Sequence, residues 1–99
     1  MIAITRIASI APGKTGEAVA FGHQVAKYFK DKYATPLEVL LPIGGNPARI
    51  GWYARYDSLA QWETLTAKML ADKEYMGMVS HHAATFLPGS VHAEIWRTV

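Results

Sequence analysis

The sequence predicts an α+β protein of the ferredoxin-like class, in which four antiparallel strands in the order 4-1-3-2 carry both helices on one face. The first observation is the order of hydrophobic patterns, which reads strand, helix, strand, strand, helix, strand. The second is that clusters of Pro and Gly separate these segments. The third is that 99 residues without a linker, a repeat or a low-complexity tract make one domain, residues 1–99.

The first strand and the first helix come from the N-terminal third of the chain. Residues 1–11 are rich in Ile and Thr and end at Pro12-Gly13, which is typical of a strand followed by a turn. From about Thr15 to Tyr33 the apolar residues recur at helical spacing and predict one buried stripe. The stripe consists of Ala18, Phe21, Val25, Tyr28, Phe29 and Tyr33. Thr35-Pro36 ends the helix, because the residue before a proline disfavours helical backbone.

Two strands and a second helix follow. "LEVLLPI" (37–43) and "ARIGWYARYD" (48–57) flank a Gly-Gly-Asn-Pro turn. Ser58 is the predicted N-cap of the second helix, with Gln61 completing a capping box. The pattern predicts a kink or break between Ala71 and Gly77, and a second helical piece that runs to Leu87. "SVHAEIWRTV" (90–99) is the last strand.

Composition excludes several classes of protein. Lys and Arg outnumber Asp and Glu by only 10 to 8, without a run of like charges, so a nucleic-acid partner is not expected. The absence of cysteine excludes disulfides and thiolate chemistry and fits a reducing compartment. No apolar segment has the length of a membrane span, and Arg6 interrupts the N-terminal one. A cytoplasmic protein without a membrane partner is expected.

Alternation along the strands predicts which residues lie on the sheet face away from the helices. In the last strand this row is His92, Glu94 and Trp96, and in the third strand it includes Tyr53 and Arg55. In the first strand Arg6 is costly to bury unpaired, so Arg6, Ile2 and Ile4 are expected on this open face, with Arg6 paired to Glu94.

An open face of this composition needs a cover. The chain is 51% hydrophobic and only 18% charged, and large apolar groups on an exposed sheet favour a partner surface. The simplest partner is the same face of a second copy, related by two-fold symmetry. The sequence therefore predicts a homodimer in which the two sheets face each other.

Three segments resemble a known superfamily. These are "APGKTGEAVAFGHQV" at the start of the first helix, "YDSLAQWE" at the start of the second, and the broken second helix. They resemble the dimeric α/β-barrel superfamily, most closely its small NIPSNAP-like and antibiotic-biosynthesis-monooxygenase-like domains. The resemblance implies a homodimer whose sheets close into a barrel, with a pocket between sheet and helices or at the barrel mouth. The superfamily includes cofactor-free monooxygenases, haem-degrading enzymes, haem peroxidases and proteins without an assigned activity.

The histidines are the candidate catalytic groups. Adjacent helical residues project about 100° apart, so His81 and His82 cannot bind one metal ion together. His82 shares a face with Tyr75, Met78, Val79 and Phe86, which predicts an inward imidazole. It is either a general acid or base or a structural histidine hydrogen-bonded inside the fold. His92 and Glu94 can act as a base with its orienting carboxylate, as two metal ligands or as a polar interface pair, but a third ligand is missing and no metal is expected.

The resemblance also raises haem. Haem-degrading relatives use a histidine of the second helix as axial ligand, with an asparagine on strand one and a tryptophan on helix two. This chain offers His82 or His81 and Trp62, but it carries Thr5 and Ser9 on strand one. No cofactor is therefore expected, and haem is the alternative left open.

The sequence thus predicts a small-molecule-pocket protein, either a cofactor-independent monooxygenase-like enzyme acting on an aromatic or polyketide-like substrate, or a non-catalytic homodimeric ligand-binding or stress-response module. Its expected partners are a second copy of the chain and a small apolar or aromatic molecule. The candidate catalytic residues are His82, His92 and Glu94. The candidate substrate contacts are Arg6, Tyr53, Arg55, Trp62, His81 and Trp96.

Overall fold

The computed structural model describes residues 1–99 and confirms the predicted order of elements. The strands are β1 (Ile2–Ser9), β2 (Glu38–Leu40), β3 (Arg49–Tyr56) and β4 (His92–Arg97). The helices are α1 (Thr15–Tyr33), α2 (Leu59–Leu70) and α3 (Lys73–His81), followed by a 3₁₀ turn (Ala83–Thr85). All strand pairs are antiparallel and the sheet order is β2-β3-β1-β4, which is the ferredoxin-like order. None of the helices is both long and apolar enough to cross a membrane.

The helix boundaries follow from local chemistry. The Ser58 hydroxyl accepts a hydrogen bond from the backbone N–H of Gln61 at 3.1 Å, which confirms the predicted N-cap of α2. The Gln61 side chain reaches back to the N–H of Asp57, one residue before the cap. The predicted break falls between Leu70 and Lys73, where Asp72 caps α3. The second piece is shorter than predicted, because α3 ends at His81 rather than continuing to Leu87.

The core lies between α1 and the β2–β3 half of the sheet. Ala18, Phe21, Val25 and Phe29 are buried, as the stripe predicts. Gly22 is buried beside them and brings the α1 backbone onto the sheet, where the Trp52 indole N–H donates to the Gly22 carbonyl at 3.2 Å. A Cβ at Gly22 would lie 2.9 Å from the Cδ1 atom of Ile50, itself only 1% exposed.

This close approach makes Gly22 sensitive to the smallest substitution. Gly22→Ala is expected to lower the free energy of unfolding by about 1–3 kcal/mol, because crowding in the core outweighs the better helix propensity of alanine. Gly77→Ala is the matched control, since a Cβ there meets nothing within 4 Å, and it is expected to stabilise by about 0.5–1 kcal/mol. Urea denaturation of both variants measures the difference. A Gly22→Ala protein as stable as Gly77→Ala would contradict the packing described here.

Candidate functional site

The register of β1 corrects the predicted orientation of the first strand. Residues that face each other across an antiparallel pair point to the same side of the sheet, and Ile4 faces Ala54 while Arg6 faces Trp52. Ile2, Ile4 and Arg6 therefore lie on the helix side, and their predicted place on the open face was wrong. The predicted pair of Arg6 with Glu94 was wrong as well, because Glu94 faces Thr5 on the opposite side of the sheet.

The physical reason is that the helix layer covers only part of the sheet. Helix α1 packs over β2 and β3 and α2 packs over β3, but β4 is exposed along all six residues. Ile95, on the helix side of β4, is 46% exposed. Arg6 is also exposed, although it stands in the helix-side row between the buried residues Ile4 and Ala8. Arg6 therefore remains in water on the helix side, and the expected penalty for burying it does not arise.

We use the name β1–α3 cleft for the region made up of Arg6, the uncovered helix side of β4 and the inward side chains of α3. Tyr75 projects inward from α3 and packs edge-on against Phe29, with ring centres 5.5 Å apart. Burial raises the pKa of Tyr75, and the positive charge of Arg6 opposes this shift. The cleft is defined by Arg6, Trp52, Tyr75, His82, Ala93 and Ile95.

His82 is the residue that follows the last turn of α3. It is half-buried, as predicted, and its ring centre is 4.7 Å from that of Phe21, which in turn lies edge-on to Trp52. His81 is exposed and its ring stands perpendicular to that of His82, with centres 5.0 Å apart. The His82 ring packs against aromatic neighbours and takes part in none of the side-chain hydrogen bonds of the fold. Its ring nitrogens are therefore available to a ligand or to a proton.

The sheet divides the candidate residues into two groups. Arg6, Trp62 and His82 lie on the helix side, where Trp62 packs on the cluster formed by Ile4, Ala54 and Tyr56. The second group lies on the open face and consists of Tyr53, Arg55, His92, Glu94 and Trp96. The Nε2 atom of His92 is 3.7 Å from Oε2 of Glu94, and both side chains are well exposed. Within one copy of the chain, the imidazole of His82 cannot act together with this pair, because the sheet separates them.

The side chains do not fit the haem-degrading arrangement. Thr5 and Ser9 occupy strand one where an amide is needed, and both point to the open face, away from His82. No three His, Asp or Glu side chains converge where they could hold one metal ion.

The sequence analysis did not predict a polar cluster in which the buried carboxylate of Asp72 meets Tyr28, Tyr33 and Lys32. One carboxylate oxygen of Asp72 accepts hydrogen bonds from the hydroxyls of Tyr28 (2.6 Å) and Tyr33 and lies 3.0 Å from the Nζ of Lys32. The other oxygen accepts from the backbone N–H groups that begin α3. Hydrogen bonds from the two tyrosines hold the pKa of Asp72 well below its usual range. The signal in the sequence was an Asp at the start of the second helical piece, a typical N-cap.

Two open grooves lie elsewhere on the surface. One, of about 460 Å³, runs between α1 and α3, and the other, of about 510 Å³, lies between the end of α1 and α2. Lysines line both, and Lys27 in the first already pairs with Asp31 at 2.6 Å. Neither brings an aromatic wall together with a free imidazole, so the β1–α3 cleft is the better candidate site.

The fold can be compared with solved structures. An uncharacterised NIPSNAP domain protein from Burkholderia xenovorans superposes with a TM-score of 0.82 at 14% identity, over 100% of this chain and 95% of that one. A NIPSNAP family protein of unknown function from Agrobacterium tumefaciens gives 0.84 at 12% identity, over 100% and 88%. A proposed antibiotic biosynthesis monooxygenase from Deinococcus radiodurans gives 0.74 at 10% identity, over 100% and 93%.

These similarities confirm the predicted resemblance at the level of fold. The chain has the ferredoxin-like α+β fold found in NIPSNAP-family proteins and in proteins described as antibiotic biosynthesis monooxygenases. No protein-family model and no curated protein matches the sequence. Both functional hypotheses are compatible with this fold, and the choice between them depends on the site.

Proposed function

We propose that this protein binds a small aromatic or polyketide-like molecule in the β1–α3 cleft. The observation that carries the proposal is that the helix layer leaves Arg6 and the helix side of β4 uncovered. Trp52, Tyr75 and the half-buried His82 offer flat side chains beside this strip. A planar apolar ligand would remove Ile95 and these rings from water and would stack on at least one of them.

The proposal includes a homodimer formed through the open faces of two sheets. This side carries no helix, and Trp96 and Leu40 on it are 59% and 39% exposed. Charged groups such as Arg55 and Glu94 stand among these apolar side chains. A two-fold axis between the sheets would bury the apolar groups and let opposite charges meet across it. A dimer would leave the β1–α3 cleft of each copy accessible, because the cleft is on the other side of the sheet.

The catalytic form of the proposal is cofactor-independent oxygenation. His82 would accept a proton from a phenol or from a CH₂ group next to a carbonyl, which leaves an electron-rich carbanion or phenolate. The anion would reduce O₂ directly. One oxygen atom would become the new carbonyl of a quinone and the other would leave as water, so that CH₂ and O₂ give C=O and H₂O. The second candidate is binding without turnover, which the fold similarity to NIPSNAP proteins of unknown function favours equally.

The test combines an oxygen electrode with thermal shift on one panel of anthrones and dihydroxynaphthalenes. Oxygen uptake that falls at least about 100-fold in His82→Ala would support the catalytic form, because general base catalysis is worth about that much. His23→Ala is the matched control, since His23 is exposed on the outer side of α1, and it is expected to keep full uptake. A raised melting temperature without oxygen uptake would support binding without turnover. A panel that produces neither signal would overturn the proposal.

A further inference from the structure

Two arginines on the helix side of the sheet have no partner. Arg6 faces Trp52 and Ala93, and Arg97 faces Ile2. Neither belongs to the four ion pairs of the protein, whose acids are Glu17, Asp31, Asp72 and Glu94. The helix-side rows of β1, β3 and β4 contain no acidic residue at all. These rows are Ile2, Ile4, Arg6 and Ala8; Ile50, Trp52, Ala54 and Tyr56; and Ala93, Ile95 and Arg97.

Arg6 is the better placed of the two. It sits on β1, which is bonded to a strand on each side, so its backbone position is fixed, whereas Arg97 ends the edge strand β4. Its guanidinium is permanently charged and offers a planar fork of donors that matches a carboxylate.

The surroundings of Arg6 are otherwise apolar. Ile4 and Ala8 precede and follow it on the same side of β1, and Trp52 and Ala93 are its cross-strand neighbours. A charged group of a ligand would therefore find one cation here, next to the exposed side chains of Ala93 and Ile95, which can contact the ligand's carbon skeleton. Partial exclusion of water by such a ligand would strengthen the ion pair relative to one at an open surface.

We infer that the ligand of the β1–α3 cleft is an aromatic acid, whose carboxylate binds Arg6 while its rings lie against Trp52 and Ile95. The inference rests on the proposed function and adds the charge of the ligand to it. It predicts discrimination between an acid and its neutral amide, which have nearly the same shape. It also predicts that binding weakens as salt is added, because the anchor is an ion pair.

The experiment is isothermal titration calorimetry of the protein with 2-naphthoate and, separately, with 2-naphthamide. The protein is expected to bind the acid at least about tenfold more tightly than the amide, in keeping with a charge-assisted pair of hydrogen bonds. Arg6→Gln is expected to abolish this preference, because it weakens binding of the acid more than binding of the amide. Arg6→Lys should keep part of the preference for the acid, because the positive charge remains although the planar set of guanidinium donors is lost. Lys30→Gln removes one positive charge from the exposed side of α1 and should change nothing.

The outcomes separate the two proposals. Equal affinity for acid and amide, or an unchanged acid affinity in Arg6→Gln, would overturn the inference and leave the cleft as a site for neutral aromatics. Failure of both probes to bind at millimolar concentration would count against the proposed function itself, and the inference would fall with it. Circular dichroism of Arg6→Gln checks the fold, which is expected to be intact because the side chain is exposed and unpaired.

Discussion

Replacing Asp72 by alanine is expected to lower the melting temperature by about 10 °C, because one carboxylate joins the start of α3 to the end of α1. It caps α3 through two backbone N–H groups and accepts hydrogen bonds from Tyr28 and Tyr33 at the end of α1. Asp72→Asn should cost about half as much, since asparagine is an equally good N-cap but lacks the charge that pairs with Lys32. Differential scanning calorimetry of the two variants separates the cap from the charge.

The same carboxylate predicts how stability changes with pH. The pKa of Asp72 is depressed in the folded protein, so its contribution is fully present above its ordinary value of 3.8 and is lost as the pH falls through the lower folded value. The difference in melting temperature between the wild type and Asp72→Asn should be constant from pH 5 to pH 8 and shrink below about pH 4. Asp31→Asn is the control, because its pair with Lys27 is exposed and should matter little. A melting-temperature difference between the wild type and Asp72→Asn that grows below pH 4 would contradict the interactions assigned to Asp72.

Tyr33 gives the alkaline counterpart. Burial, together with the hydrogen bond to Asp72, raises the pKa of Tyr33 to about 12. The contribution of protonated Tyr33 to stability is complete below the ordinary tyrosine pKa of 10.0 and is lost as the pH rises through about 12. Absorbance at 295 nm should therefore show late tyrosine ionisation in the wild type, part of which moves to lower pH in Asp72→Asn.

The second large effect is expected at the proposed dimer interface. Trp96→Glu should weaken self-association at least about 100-fold, because it replaces an apolar group by a charge that loses its water in the interface. Leu70→Glu is the matched control: Leu70 on α2 is 63% exposed, close to the 59% of Trp96, but lies on the helix layer. Sedimentation equilibrium measures both. The wild type and Leu70→Glu should have twice the 10.9 kDa mass of the chain at micromolar concentration. A monomeric wild type would refute the dimer.

The elements that could be predicted are those decided by local pattern. The stripe Ala18–Phe29 repeats at helical spacing over several turns, and Ser58 is followed by Gln61, so each signal is contained within a few residues. The order of the strands follows from the order of the elements once the fold class is recognised.

The site was harder to predict, because it depends on how much of the sheet the helices cover and on contacts between residues that are far apart in the chain. The prediction of Arg6 on the open face assumes that the helices cover the whole opposite face of the sheet. The sequence does not reveal that they leave β4 exposed. Asp72 meets Tyr28 and Tyr33 across 44 and 39 residues of chain, which no local pattern reports. His82 could be placed because it follows the stripe of Tyr75 and Val79 along α3.

The most direct test of the proposed binding site and dimer is a crystal structure of the protein grown with 2-naphthoate. We expect the naphthalene rings between Trp52 and Ile95, the carboxylate on Arg6, and a second copy of the chain against the open sheet face. Naphthoate bound instead on that open face, beside Tyr53 and Trp96, with the β1–α3 cleft closed by its own side chains, would contradict this expectation.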